Sequence, residues 1–210
     1  MKHEDQTEII NYADSRTPEQ READSKIKTT VTTAGSLLHF VNMDKNNIEA
    51  YTPKYAVDII LPYINKEWVI WAPFSRDEHN FADYLRGKGY KVINTHYDPE
   101  TWEGIDFLTH TPDFHFDIIL DNPPFKNKTK FVEKAMSFGK PFALFLPLNA
   151  FSDNGIPNLY IKNNIEPQLL IPDKRTEFEN QKQKGISFKT AYYCRDLLPK
   201  QIIFTKITKE

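Results

Sequence analysis

Two consecutive prolines at the end of a short apolar run set the tightest limit on how this chain can fold. Residues 116–120, Phe-Asp-Ile-Ile-Leu, read as a buried strand, and Asp121-Asn122-Pro123-Pro124-Phe125 follows at once. Proline donates no backbone hydrogen bond and locks φ, so the pair ends the strand and stiffens its exit. The carbonyls of Asn122 and Pro123 then lose their ladder partners and can point into a cleft, beside an amide side chain and an aromatic ring. Two acceptors next to a stacking face suit a flat heterocycle that bears an exocyclic NH2. A rigid loop with no ligand is the plain alternative for the same letters.

Strand-like and helix-like runs alternate around this corner. Residues 66–74 carry Trp68-Val69-Ile70-Trp71 and stop at Pro73. A helical pattern over 76–86 turns Phe81, Tyr84 and Leu85 inward and closes at Gly87 and Gly89; residues 90–94 are strand-like again. Two strands joined by a helix predict a right-handed parallel unit. A second helix is expected over 129–138, stopped by Gly139-Lys140-Pro141, then a buried strand at 142–147, a weak helix near 157–162 and a strand at 168–171. Residues 190–194 and 200–205, separated by Leu198-Pro199, read as an antiparallel hairpin. The fold class is therefore α/β, a Rossmann-like, mostly parallel sheet with an antiparallel C-terminal hairpin. Ligands of such sheets bind outside the carboxyl ends of the strands, which puts residues 72–77, 95–98 and 122–125 on one rim.

Residues 1–48 are polar, and the expected division is an N-terminal arm or cap, partly ordered, followed by one domain at 49–210. Within the arm, Thr17-Pro18-Glu19-Gln20 reads as a helix start and residues 29–40 as a short strand or apolar latch. Thr52 is a predicted N-cap with Pro53 at the first helical position, ahead of Ala56, Ile59, Ile60 and Tyr63 at helical spacing.

Hydrophobic content of 40% with 13% aromatic residues indicates a globular chain. The net charge of −2 gives no overall attraction to nucleic acid, so any such contact needs a local patch. Lys126, Lys128, Lys130 and Lys134 form the best one, although a solvated helix face is the usual meaning of such a run. The single cysteine, Cys194, excludes an internal disulfide and suits a reducing cytoplasm. The six histidines show no metal-ligand spacing with it, so no metal is expected.

Asn122-Pro123-Pro124-Phe125 matches the motif of the S-adenosylmethionine-dependent amino-methyltransferases, above all the adenine-N6 branch. With Tyr51-Thr52-Pro53, Trp71-Ala72-Pro73-Phe74 and Gly104-Ile105-Asp106-Phe107, the chain resembles the small adenine methyltransferases of phages and prophages over residues 51–207. The resemblance implies a class I methyltransferase fold, S-adenosylmethionine as cofactor, and methylation of adenine N6 in DNA, in the cytoplasm of a bacterial host. RNA adenine or a protein glutamine are alternative substrates. A catalytically silent binding or anti-restriction protein is the rival reading.

By that resemblance, the side-chain oxygen of Asn122 and the carbonyl of Pro123 accept from the amine, Pro124 stiffens the loop and Phe125 stacks on the base. Tyr51, Thr52 and Pro53 lie by the methionine end of the cofactor, with Trp71, Ala72, Pro73, Phe74 and Asp77 forming the first loop and Asn122 closing the site. Thr95, His96 and Asp98 face the ribose, and Asp106 takes the cofactor's adenine amine with Phe107 packed nearby. Lys126, Lys128, Lys130, Lys174, Arg175 and Lys184 are the implied nucleic-acid contacts. The chain departs from the family pattern at the first loop, which lacks glycine and has Ser75 where an aspartate is usual, with Asp77 two residues on.

Overall fold

Residues 51–75, 81–96, 104–178 and 189–208 are described by a computed structural model of the chain. The β-branched and aromatic runs found in the sequence become strands β1 (Val69–Ala72), β2 (Lys91–Asn94), β3 (Ile118–Asp121), β4 (Phe142–Pro147), β5 (Gln168–Pro172), β6 (Thr190–Arg195) and β7 (Ile202–Thr205). The helices are α1 (Lys54–Asp58), α2 (Phe81–Gly87), α3 (Lys128–Ser137) and α4 (Gly155–Asn163), with 3-10 turns at Leu61–Tyr63 and Leu148–Ser152.

Side chains alternate across the sheet, and the two faces bury separate cores. On one face Ile70, Ile118, Leu120, Ala143, Phe145 and Tyr192 meet Ala56 and Val57 of α1 and Phe81 and Leu85 of α2. On the other, Trp71, Ile119, Phe142, Leu144 and Tyr193 meet Phe131, Val132 and Ala135 of α3 and Ile156 and Leu159 of α4. β3 and β4 are buried along their whole length, as a strand covered on both faces must be. Each large apolar side chain so covered contributes about 1.5–3 kcal/mol.

The strands follow the order β2-β1-β3-β4-β6-β5-β7. From β1 the chain steps outward to β2 and then crosses back to β3, and all three run parallel. Strand order therefore reverses between β1 and β3, the position at which sheets of this kind bind their ligands.

The mostly parallel sheet with an antiparallel C-terminal part is as expected, but its last two strands do not pair with each other. β6 runs antiparallel between β4 and β5, and β7 lies on the far edge of β5, parallel to it, with Leu169 opposite Ile202. Burial explains the choice. Tyr192 and Tyr193 are both wholly covered, which needs a central strand, whereas Ile202 and Phe204 are exposed and suit an edge.

Smaller differences are local. Pro53, not Thr52, is the capping residue of α1, and no side chain closes that end. α4 begins earlier than predicted, at Gly155, where an added Cβ would sit 2.7 Å from Thr129 Oγ1 of α3. The predicted helix start at Thr17 and the strand at 29–40 lie outside the described residues, as does the whole 1–48 arm. Among the described residues no helix is long and apolar enough to cross a membrane.

Candidate functional site

An aspartate at each end of β3 ties it to β1. At the entrance, Asp117 donates its N–H to the Val69 carbonyl at 2.8 Å, and its Oδ2 accepts from Val69 N at 2.8 Å. The Val69 bond and the nearby His115 hold the Asp117 carboxyl below its usual range. At the exit, Asp121 Oδ2 accepts from Phe74 N at 2.6 Å, and Oδ1 accepts from the Ser75 hydroxyl at 2.7 Å and from Asn122 N at 2.8 Å. Asp121 is 1% exposed. Burial pushes its carboxyl up to about 6, with these hydrogen bonds pulling the other way.

The first loop, which lacks glycine, is held from both sides. The Phe74 carbonyl takes the Nδ1 proton of His96 at 3.0 Å, since a carbonyl only accepts, and the Ser75 carbonyl accepts from the Asn94 amide at 3.3 Å. Arg86 grips the Asn94 side-chain oxygen in turn.

The β3 ladder ends at the Asp121–Leu144 pair, and the proline corner leaves the sheet there. Pro123 is buried, while Asn122, Pro124 and Phe125 are half-buried. Phe125 packs against both cores and meets the ring of Phe178 edge to face at 5.8 Å; Phe178 leans on Phe145 at 6.2 Å. Phe178 is an isolated aromatic in a polar run, and nothing local in the sequence marks it. The side-chain oxygen of Asn122 is closed off from solvent. The corner as a whole is partly exposed, but that oxygen is not reached from solvent in this conformation.

Residues expected around a cofactor divide into rim and support. Thr52 is 5% exposed, and its Oγ1 is buried with no hydrogen-bond partner, beside a half-buried Tyr51 and a buried Pro53. Trp71 is wholly buried and braces the rim from behind: its Nε1 donates to Thr95 Oγ1 at 2.8 Å, and its ring meets Phe107 at 5.2 Å and Phe116 at 5.0 Å. Ala72 and Pro73 are buried, and Phe74 is half-buried against Phe107 at 5.0 Å.

Ile105 N donates to the Thr95 carbonyl at 3.3 Å, which brings the half-buried Asp106 beside the end of β2. Asp106 Oδ1 accepts from Leu108 N at 2.9 Å, a local turn that sets the carboxylate's direction. Lys126, Lys130, Lys174 and Arg175 are exposed, whereas Lys128 is taken up by Asp153 at 3.1 Å. Asp77, Asp98 and Lys184 lie outside the described residues. Among the described residues no three metal-binding side chains come together.

No protein-family model and no curated protein sequence matches this chain. Solved structures do match. A Listeria monocytogenes protein described as a class I S-adenosylmethionine-dependent methyltransferase superposes with a TM-score of 0.54 at 14% identity, covering 89% of this chain and 74% of that one. A Vibrio vulnificus protein described as the modification subunit of a type I restriction enzyme gives 0.46 at 12% identity, covering 96% of this chain. The chain spans only 55% of the length of that subunit. A TehB-like S-adenosylmethionine-dependent methyltransferase from Corynebacterium glutamicum gives 0.45 at 12% identity, over 85% of this chain and 98% of that one. The Listeria likeness shows the fold: the chain has the class I methyltransferase architecture, with the antiparallel β6 between β4 and β5.

Proposed function

We propose that this chain is an S-adenosylmethionine-dependent methyltransferase whose acceptor is the exocyclic N6 amine of adenine in DNA. The observation that carries the reading is positional: Asn122-Pro123-Pro124-Phe125 leaves the sheet at the carboxyl end of β3, beside the point where strand order reverses. On this reading the buried, unpartnered hydroxyl of Thr52 meets the cofactor's methionine end, a demand that a carboxylate there satisfies. Asp106 receives the adenine amine of the cofactor, and Thr95 and His96 line the ribose.

S-adenosylmethionine supplies an electrophilic methyl group on a sulfonium. The chain's own part is to present the acceptor. An exocyclic amine is a weak nucleophile because its lone pair is delocalised into the ring. Asn122 Oδ1 and the Pro123 carbonyl take its two hydrogens, which favours a pyramidal nitrogen, and Phe125 holds the ring plane. The extra proton of the methylated amine passes to solvent, so no strong base is required. A base cannot reach such a corner from inside a duplex, so it is flipped out or presented single-stranded. Lys126, Lys130, Lys174 and Arg175, all exposed, are the phosphate contacts. RNA adenine and a protein glutamine amide offer the same two hydrogens and remain substrates of the same chemistry.

One observation favours a second reading, a methyltransferase-like binding protein without activity. The amide and carbonyl of Phe74 and the hydroxyl and carbonyl of Ser75 are all engaged within the chain, which leaves the first loop fewer groups to offer a cofactor. Calorimetric titration with S-adenosylmethionine and S-adenosylhomocysteine decides between them. The enzyme reading expects binding that falls at least tenfold in Asp106→Ala; no binding of either ligand at millimolar concentration hands the lead to the second.

A further inference from the structure

The loop after β1 and the loop after β3 hold the two halves of the proposed site, and one side chain joins them. A carboxylate offers about four acceptor positions on two oxygens. Asp121 accepts from Phe74 N, Ser75 Oγ and Asn122 N, and the Ser75 backbone N–H also bonds to it, so the first loop and the Asn122 peptide both end on one carboxylate. All of these donors are neutral, so the buried charge is stabilised by hydrogen bonds alone. That is a costly way to fill a core position at the end of a central strand. Shape alone would be served by a neutral side chain of similar size, so the site needs the acceptors themselves.

We infer that Asp121 is a positioning residue: it clamps Phe74 and Ser75 of the first loop to the peptide of Asn122, so that the cofactor side and the amine-gripping side of the crevice move as one body. This rests on the methyltransferase reading for what the two sides hold, while the clamp itself is a property of the chain. The remaining loop anchors, His96 on the Phe74 carbonyl and Asn94 on the Ser75 carbonyl, come from β2 and its exit and bear on one half only. Asp121 alone among these spans both.

The clamp predicts a coupling that a merely structural acid would not produce. The Ser75 hydroxyl and the Asn122 amide share Asp121 Oδ1, so Ser75→Ala should be felt at Asn122. Amide hydrogen exchange read by NMR on the full chain tests this without any ligand. Asp121→Asn should speed exchange at Phe74 and Asn122 at least tenfold, with Ile119 and Ala143 inside the sheet changing less than twofold. Ser75→Ala should speed Asn122 several-fold with the same sheet amides unmoved. The milder variant keeps the test decisive should Asp121→Asn fail to fold. Titration with S-adenosylmethionine then reads the consequence, an affinity at least tenfold weaker in Asp121→Asn.

Exchange that rises uniformly across the sheet, or an Asn122 amide unmoved by Ser75→Ala, would overturn the clamp. Unchanged cofactor affinity in Asp121→Asn would overturn its role in the site. A wild-type chain that binds no S-adenosylmethionine would remove the methyltransferase reading and leave the exchange experiment to judge the clamp.

Discussion

Asp121 shows how one buried group sets opposing demands at the residue scale. Burial lifts its carboxyl from an ordinary 3.8 to about 6, so the folded chain keeps a proton there that the unfolded chain has already released. A folded value above the unfolded one means that the contribution of this group to stability declines as pH rises through the interval between them, and levels off above the folded value. The unfolding free energy of the wild type, measured relative to Asp121→Asn, should fall by about 1.4 kcal/mol per pH unit between roughly pH 4 and pH 6. His96 reaches the same loop through Phe74, and Tyr192 faces Asp121 from β6 with its own proton held by burial. The variant leaves both in place, so the difference isolates Asp121. A flat difference across that interval would show that the carboxyl titrates as an ordinary one. Nothing local in the sequence marks Asp121, because its decisive partners, Phe74 and Ser75, are distant in the chain. The proline corner next to it was legible, since proline acts on its own backbone and needs no distant partner to end a strand.

At the scale of elements, the α3–α4 contact depends on a missing side chain. A Cβ on Gly155 would meet Thr129 Oγ1 at 2.7 Å and Cγ2 at 3.0 Å. Because both branches of the threonine are in the way, rotating it exchanges one clash for the other. Gly155→Ala should therefore lower the unfolding free energy by about 1–3 kcal/mol, and adding Thr129→Ala should recover most of it, read by urea denaturation. Equal stability of Gly155→Ala and wild type would mean that the two helices part freely. Elements were read well from the sequence where a run is buried on both faces, as in Phe142–Pro147, whose predicted limits match the strand. The pairing of the last two strands was misread for the opposite reason. Leu198-Pro199 can support a reverse turn, but β7 finds its partner in β5, and pairing between segments far apart in sequence leaves no local sign. Thr52 reads as a cap by residue type, yet its hydroxyl caps nothing and is left buried without a partner.

Seen whole, the chain gathers the first loop and the proline corner at one crossing of the sheet, between β1 and β3. Asp117 fixes the two strands at their start, Asp121 fixes their exits, and Trp71 with its ring of phenylalanines backs the rim. The net charge of −2 leaves long-range attraction of a nucleic acid to the local lysines rather than to the molecule as a unit. Fold class was legible because strand and helix periods alternate strongly. The packing of Phe125 was not, since its ring partner Phe178 comes from beyond β5, far along the chain. The central claim is that the corner at Asn122 grips an exocyclic amine for methyl transfer. Its most direct test is transfer of a labelled methyl group from S-adenosylmethionine to an adenine-containing single-stranded DNA, with the product digested and identified by mass spectrometry. The account predicts N6-methyladenine, formed about 10²–10³-fold more slowly by Asn122→Ala. Label that lands on another atom, or that arrives as fast without the Asn122 side chain, would contradict it.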